Sequence, residues 1–300
     1  MAVETAGIDA ATGARAQQAA ASGHWLQAWR RLRRDPAALV GGAIILFLIF
    51  VALFATVLAP YDYTAQVMSN RYAPPGGANL LGTDHLGRDV LSRLMVGARI
   101  SLAVGLISVG IAVSFGVVVG AVAGYGGGRT DMLLMGVMDL ILAFPALLLA
   151  ITIASALGPS VTNAMIAIGI VNIPAFARLV RSSVLTIRGQ EFVEAARSIG
   201  AGTTRIIALH VIPNVLAVVI VRATISLGFA ILTEAGLSFI GLGAQPPDPS
   251  WGGMLNDGRE SIRRAAHLTT IPGLCIMVTV LAFNLLGDGL RDALDPRLKR

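Results

Sequence analysis

From Val40 to Ala59 the chain runs for twenty residues without a charge. As a helix that run is about 30 Å long, the thickness of a bilayer's hydrocarbon core. Comparable apolar stretches follow at Ile100 to Gly124, Met132 to Leu157, Val161 to Ala177, Pro213 to Leu237 and Leu268 to Leu286, which together predict six transmembrane helices. Composition rules out a soluble alternative. Of 300 residues, 55% are hydrophobic and only 13% charged, with a mean hydropathy of +0.74, so there is too little polar surface to cover a water-soluble globule. The expectation is an all-α, multi-pass membrane protein.

Six spans place both termini on one side, and Lys and Arg beside a span resist translocation. The terminal side carries fifteen basic residues: Arg15, Arg30, Arg31, Arg33, Arg34, Arg129, Arg178, Arg181, Arg188, Arg197, Arg205, Arg291, Arg297, Lys299 and Arg300. The other side carries seven, Arg71, Arg88, Arg93, Arg99, Arg259, Arg263 and Arg264, while Arg222 falls inside a span. This asymmetry predicts cytoplasmic N- and C-termini and makes the net charge of +6 mostly an orientation signal. The basic residues are scattered over loops without interleaved aromatics, so no nucleic-acid surface is indicated. Residues 1–38 read as a cytoplasmic tail and an amphipathic lead-in. The first 23 are Ala-rich and polar, without the apolar core or cleavage site of a secretory signal. Trp25, Trp29 and the Arg30-Arg31-Leu32-Arg33-Arg34 cluster suit the headgroup interface. Residues 39–300 read as the transmembrane domain.

Catalytic chemistry finds no foothold. Cys275 is the single cysteine, which excludes a disulfide within the chain and a cysteine metal site. The four histidines, His24, His85, His210 and His267, fall in different loops on opposite sides. Lys299 is the only lysine, so the chain cannot supply the Gly-Lys-Ser/Thr of a phosphate-binding P-loop. The Gly126-Gly127-Gly128 run, with no strand before it, reads as a flexible turn. No nucleophile elbow, His-Glu-x-x-His helix or well-placed carboxylate pair is present. The expectation is a protein that is not an enzyme and has no cofactor of its own.

One polar segment lies between two apolar ones. Residues 188–213 hold Glu191, Glu194-Ala195-Ala196, then Gly200, then Pro213. A helix from Gln190 to Ile199 is predicted to end on Gly200, and a second from Thr203 to His210 to stop before Pro213. The spacing resembles the EAA loop of ABC-importer permeases, which runs Glu-Ala-Ala, three residues, Gly, nine residues, Ile-x-Leu-Pro. His210 and Ile212 stand here for the Ile and Leu. Two further segments are expected to face outward. In Leu80-Leu-Gly82-Thr83-Asp84-His-Leu-Gly87-Arg88-Asp89, Thr83 or Asp84 is predicted to cap a short amphipathic helix at the interface. In Leu237 to Gly252, glycines and prolines break the helix where exposed backbone needs water or protein partners.

These segments, with Asn284-Leu-Leu-Gly287-Asp288-Gly289-Leu290-Arg291-Asp292-Ala293-Leu294-Asp295-Pro296 near the C-terminus, resemble the C-type permeases of dipeptide, oligopeptide, glutathione and nickel ABC importers over roughly residues 25–300. The string Ile173-Pro-Ala-Phe-Ala-Arg178-Leu-Val-Arg181 is nearer to the dipeptide and glutathione members. The resemblance implies the type I importer permease fold in a prokaryotic inner membrane and half of a peptide translocation pathway. It implies as partners a homologous B-type permease, two ABC ATPase subunits that carry ATP and Mg, and an extracytoplasmic peptide-binding protein. It also implies that Glu191, Glu194, Ala195, Ala196, Gly200 and Pro213 couple ATPase motion to the membrane helices. A nickel importer is the alternative within the family. A secondary transporter is the alternative outside it, although no convincing repeat relates residues 40–157 to 161–290.

Three charges fall inside spans: Asp139, Arg222 and Glu234. They read either as pathway or gating residues or as polar contacts between helices. Counted from Met132 and Pro213, Asp139 and Arg222 lie about 10 to 14 Å into their helices, which predicts that they face each other; the alternative is that Arg222 snorkels to the cytoplasmic headgroups and Asp139 bonds to a backbone or hydroxyl group. Glu234, near the outer end of the fifth span, reads either as facing a watery vestibule or as a polar contact between helices. The topology has a direct test. In a Cys275→Ser background, single cysteines at Ala78 and Asp248 should react with an impermeant thiol reagent in intact cells, and one at Gly202 should not. Labelling at Gly202 would reverse the orientation.

Overall fold

The structure, a computed structural model, describes residues 28–294; the tail through Gln27, with Trp25, and the last six residues lie outside the described residues. Asp35 opens the first span by accepting the N–H groups of Ala37 and Ala38, and α1 (Pro36–Leu53) follows. Proline is well placed there, because a helix's first turn has no use for its N–H. A further turn at Ala55–Leu58 leads into an irregular segment before the next helix. Then come α2 (Val90–Gly126), α3 (Gly128–Leu142), α4 (Ala146–Leu157), α5 (Val161–Ile187), α6 (Glu191–Ser198), α7 (Thr203–Ile206), α8 (Ile212–Phe239), α9 (Trp251–Arg259) and α10 (His267–Leu294). Among the described residues there are no strands, only two isolated bridges. Five helices are long and apolar enough to cross a membrane, or six if α3 and α4 count as one broken span.

Three expectations change. The predicted third span, Met132 to Leu157, is not one rod: α3 and α4 meet at 89°. Pro145 supplies the reason, since it has no N–H to continue the ladder and disfavours a helical Phe144. The outer helix predicted to start at Thr83 or Asp84 is absent. Asp89 instead caps α2 by accepting the Ser92 N–H, and one helix runs from Val90 through the whole predicted second span. Pro213 does not separate a short helix from the fifth span either. The helix begun at Thr203 passes through a wider turn at Ile207–Val211 and continues to Phe239. Inserting an extra residue in one turn accommodates a proline without breaking the rod.

The bundle is organised around α2 and α5. Gly116, Gly120 and Gly124 form a stripe with a four-residue step on the face of α2 that meets α5. A Cβ on Gly120 would overlap the Ala177 carbonyl oxygen and lie 2.8 Å from Val180 Cβ, and one on Gly116 would lie 2.5 Å from Phe176 Cβ. Phe176, Val180 and Val184 are buried along that seam. In lipid, helices gain little from apolar burial against one another, so small residues that let backbones approach supply the attraction. The remaining helices pack around this pair: α10 packs on α8 and α1, and α4 covers α5.

Gly120→Val should therefore force the α2 and α5 backbones apart, a cost of about 1 to 3 kcal/mol. A drop of several degrees in the unfolding temperature of the purified complex is expected. Gly110→Ala, which adds a methyl to open space, should leave it unchanged. Equal unfolding temperatures for the two variants would remove the stripe from the packing argument.

Candidate functional site

The segment between α5 and α8 has a sheltered face and an open one. Val193 and Ala196 are buried against the core, with Phe192 and Ala201 packed beside them. Glu191, Glu194, Ala195 and Arg197 are exposed. The acidic residues sit in the first turn and Arg197 in the last, which suits the helix dipole. Gly200 closes α6 with φ +81°. Its N–H donates to the Arg197 carbonyl, and the Ala201 N–H donates to that of Ala196, at 3.0 and 3.1 Å. This is the left-handed termination that glycine adopts at least cost. Nothing lies within 4 Å of where a Gly200 Cβ would stand, so the requirement for glycine is conformational and not steric.

Two contacts tie this segment to α2. Arg188, after α5, donates to the Gly124 carbonyl at 3.0 Å. Arg197 donates to the Tyr125 hydroxyl at 3.2 Å and lies over that ring. Hydrogen bonding to Tyr125 holds the exposed Arg197 guanidinium above its ordinary pKa. Ile199 was missed by sequence reasoning. It stands 86% exposed at the tip of the turn, a large apolar side chain on an otherwise polar surface, and the available signal was its place directly before the helix-ending glycine.

On the opposite end, the Thr83 to Arg93 segment proves to be an interior tie. Asp84 accepts the N–H groups of Leu86 and Arg88 and the Arg88 guanidinium at 2.6 Å. Arg93 lies 3.7 Å from the same carboxylate, and Asp257 of α9 reaches Arg88 at 3.4 Å. Thr83, Asp84, Arg88, Asp89 and Arg93 are all buried. Gly87 is a further requirement, with φ +75° and the Val67 carbonyl filling the place of a side chain. The charges here hold two loops together.

The span charges separate into two kinds. Glu234 does not face a vestibule: it is 1% exposed, accepting hydrogen bonds from Ser238 at 2.7 Å and Ser101 at 3.3 Å. Ser101 in turn receives the Trp251 N–H at 3.5 Å, so the carboxylate links α8 to α2 and α9. Asp139 and Arg222 are not paired. Asp139 meets Arg178 of α5 at 2.6 Å, while Arg222 is exposed and makes no ion pair among the described residues. Two misjudged lengths explain the error. α5 runs ten residues past Ala177 to Ile187, which brings Arg178 into the helix. The rod carrying Arg222 starts at Thr203, placing Arg222 about 28 Å along it. Next to the Asp139–Arg178 pair, Asp131 and Arg181 form a two-pronged bridge with both contacts at 2.5 Å.

The Asp139 and Arg178 side chains are 60% and 53% exposed, amid exposed Val137, Leu140 and Phe144. Charged side chains facing acyl chains are costly even when paired, and water or protein serves them better. This face is therefore suited to water or another protein and not to lipid.

Comparison with known proteins gives the arrangement a family. Residues 116–300 match the model of the binding-protein-dependent transport system inner membrane component, and residues 23–75 that of the N-terminal TM domain of oligopeptide transport permease C. The chain is 48% identical to the dipeptide transport system permease protein DppC of Alkalihalophilus pseudofirmus, over 92% of this chain and 90% of that one. It is 48% identical to the di/tripeptide permease DppC of Pseudomonas aeruginosa, over 90% and 91%. With the glutathione transport system permease protein GsiD of Escherichia coli it shares 46% identity, over 92% and 91%. A chain of the inward-facing MetNI methionine ABC transporter superposes with a TM-score of 0.55 at 19% identity, covering 67% of this chain and 96% of that one, and supports the fold alone. The chain belongs to the binding-protein-dependent transport system inner membrane component family, the permease subunits of ABC transporters.

Proposed function

We propose that this chain is one of two permeases forming the pathway of an ATP-driven importer of small peptides: dipeptides, oligopeptides or glutathione. The observation that carries the reading is identity of nearly one half, over nine-tenths of the chain, with permeases named for dipeptide and glutathione transport. In this reading residues 39–300 are the transmembrane domain, both termini lie in the cytoplasm, and the membrane is the prokaryotic inner membrane. A homologous permease completes the pathway. Two ABC ATPase subunits carry the ATP and Mg, and an extracytoplasmic binding protein delivers the peptide.

The 188–213 segment is the proposed point of entry for ATPase motion. Glu191, Glu194 and Ala195 offer an exposed face, Ile199 offers an apolar tip, and Ala196 anchors that face to the core. Gly200 sets the turn, and Pro213 lies in the first turn of α8 on the lever that begins at Thr203. An ATPase groove that receives the tip would displace α6, and the Arg188 and Arg197 contacts would pass the displacement to α2. Asp139 and Arg222 are proposed to face the pathway. Glu234 is proposed to gate it only indirectly, by holding the outer segment in place.

Glu194→Lys reverses a charge on the docking face, and Gly200→Val penalises the left-handed turn by about 1 kcal/mol or more. Both variants should insert and express normally, yet the complex assembled with its ATPases and binding protein should lose most of its peptide-stimulated ATP hydrolysis. Ile199→Asp should behave alike. Full stimulation in all three would remove the segment from the coupling mechanism. No stimulation of the wild-type complex by any di- or tripeptide would refute the substrate class.

A further inference from the structure

We propose that Asp139 and Arg178 are the pathway's counter-charges for a zwitterionic peptide, the carboxylate taking the peptide's ammonium and the guanidinium its terminal carboxylate. The inference rests on the peptide-importer reading above and deepens it by assigning the two side chains that would recognise the cargo. Three observations carry it.

The first is the contrast between neighbouring ion pairs. Asp131 and Arg181 close on each other through two contacts, with side chains 19% and 34% exposed. Asp139 and Arg178 share a single contact, Nη2 to Oδ1. Among the described residues that leaves one Asp139 oxygen and the other Arg178 N–H groups open to a ligand. The first pair is built as a clasp between α3 and α5, and the second is built to be opened. Arginine's planar fork also matches a carboxylate through two parallel bonds, which Asp139 does not use here.

The second observation is position. The pair joins α3, one arm of the pair of helices bent by 89°, to the spanning helix α5, among exposed apolar side chains where facing lipid is costly. Water or the second permease must meet it, and both conditions hold on a pathway formed between two permeases. The third is the break after α3. Asp139 sits in the last turn of that helix, whose axis turns by 89° before α4. The carbonyl end of a helix carries partial negative charge and favours a cation, so it adds to Asp139 on the side where an ammonium would rest.

Size is consistent as well. An extended dipeptide is about 7 Å long, so the 2.6 Å contact has to part to admit one. Only one hydrogen bond is lost, and the cargo's two termini replace it with charge-assisted bonds to both partners. A ligand lacking either terminal charge would leave one member of the pair unsatisfied.

The test uses this chain assembled with its partner permease and ATPases in nanodiscs, without the binding protein, so that selection by that protein does not enter. The probes are alanyl-alanine, its N-acetyl form and its C-terminal amide. Wild type should bind alanyl-alanine roughly tenfold or more tighter than either blocked form. Asp139→Asn should abolish the preference over the N-acetyl form and keep that over the amide, while Arg178→Gln should do the reverse. Asp139→Glu and Arg178→Lys, which keep the charges, should retain both preferences and serve where a neutral variant fails to assemble. A pair that only holds helices together would weaken all three probes equally or none, and either result overturns the assignment. Failure of the underlying reading shows differently: wild type would bind none of the probes and import no peptide when the binding protein is restored, and the clamp would fall with it.

Discussion

The close approach of α2 and α5 along Gly116, Gly120 and Gly124 is the constraint on which the rest of the molecule depends. A membrane helix cannot use water to drive it against a neighbour, so adhesion has to come from backbone proximity and from polar contacts. The glycine stripe supplies the first. At the same end of the seam, Arg188 bonds the Gly124 carbonyl and Asp131 grips Arg181. The 188–213 segment is thus mounted on the closely packed α2–α5 seam, where the proposed push on α6 would reach both helices.

The two acidic side chains that sequence placed inside spans illustrate how neighbours decide what a charge does. Glu234 is enclosed by Ser101 and Ser238 and cannot be reached from solvent. Its hydrogen-bond partners compensate for burial, and removing them would leave a costly unsatisfied group. Asp139 has one partner and an open side. The same distinction applies to arginine: Arg88 and Arg93 are buried ties between loops, whereas Arg222 is exposed. Formal charge within a span signals that something polar is required, and only the structure distinguishes a knot from a surface.

Much of this was legible without coordinates, and the failures have identifiable causes. Runs of uncharged residues locate spans well, because their length is set by the bilayer. Left-handed termination at Gly200 was readable from glycine after a helical pattern. Helix ends were read less well. Arg178 and Arg181 mark where polarity begins and not where α5 stops, since a helix bonded by its own backbone continues past the end of its apolar run. Pro145 and Pro213 illustrate the opposite difficulty. One breaks its span by 89° and the other is absorbed by a wider turn, a difference that depends on which neighbours can satisfy the freed backbone groups. The Asp139–Arg178 pair was out of reach for the same reason, as it joins residues 39 apart whose meeting depends on where α5 ends. The glycine stripe on α2 had a sequence signal in its four-residue step, and it went unread.

Stiffness is distributed unevenly between the two ends, and that bears on how such a permease moves. The end that carries Thr83 to Arg93 is pinned by the Asp84, Arg88, Arg93 and Asp257 network. It is pinned again by Trp251, whose indole donates to the Leu94 carbonyl at 3.1 Å beside Gly97. At the 188–213 end the ties are less buried: α6 is eight residues long, ends on a glycine with open space beside it, and the segment holds α2 through the Arg188–Gly124 and Arg197–Tyr125 contacts. In the coupling mechanism proposed above, a force applied at the 188–213 end would meet a short helix, while the loops at the other end would move as one body with the helices that carry them. Rigid-body rocking of helices would fit that mechanism better than local unfolding, because the buried Asp84, Arg88 and Arg93 lie at the end away from the 188–213 segment and are costly to expose unpaired.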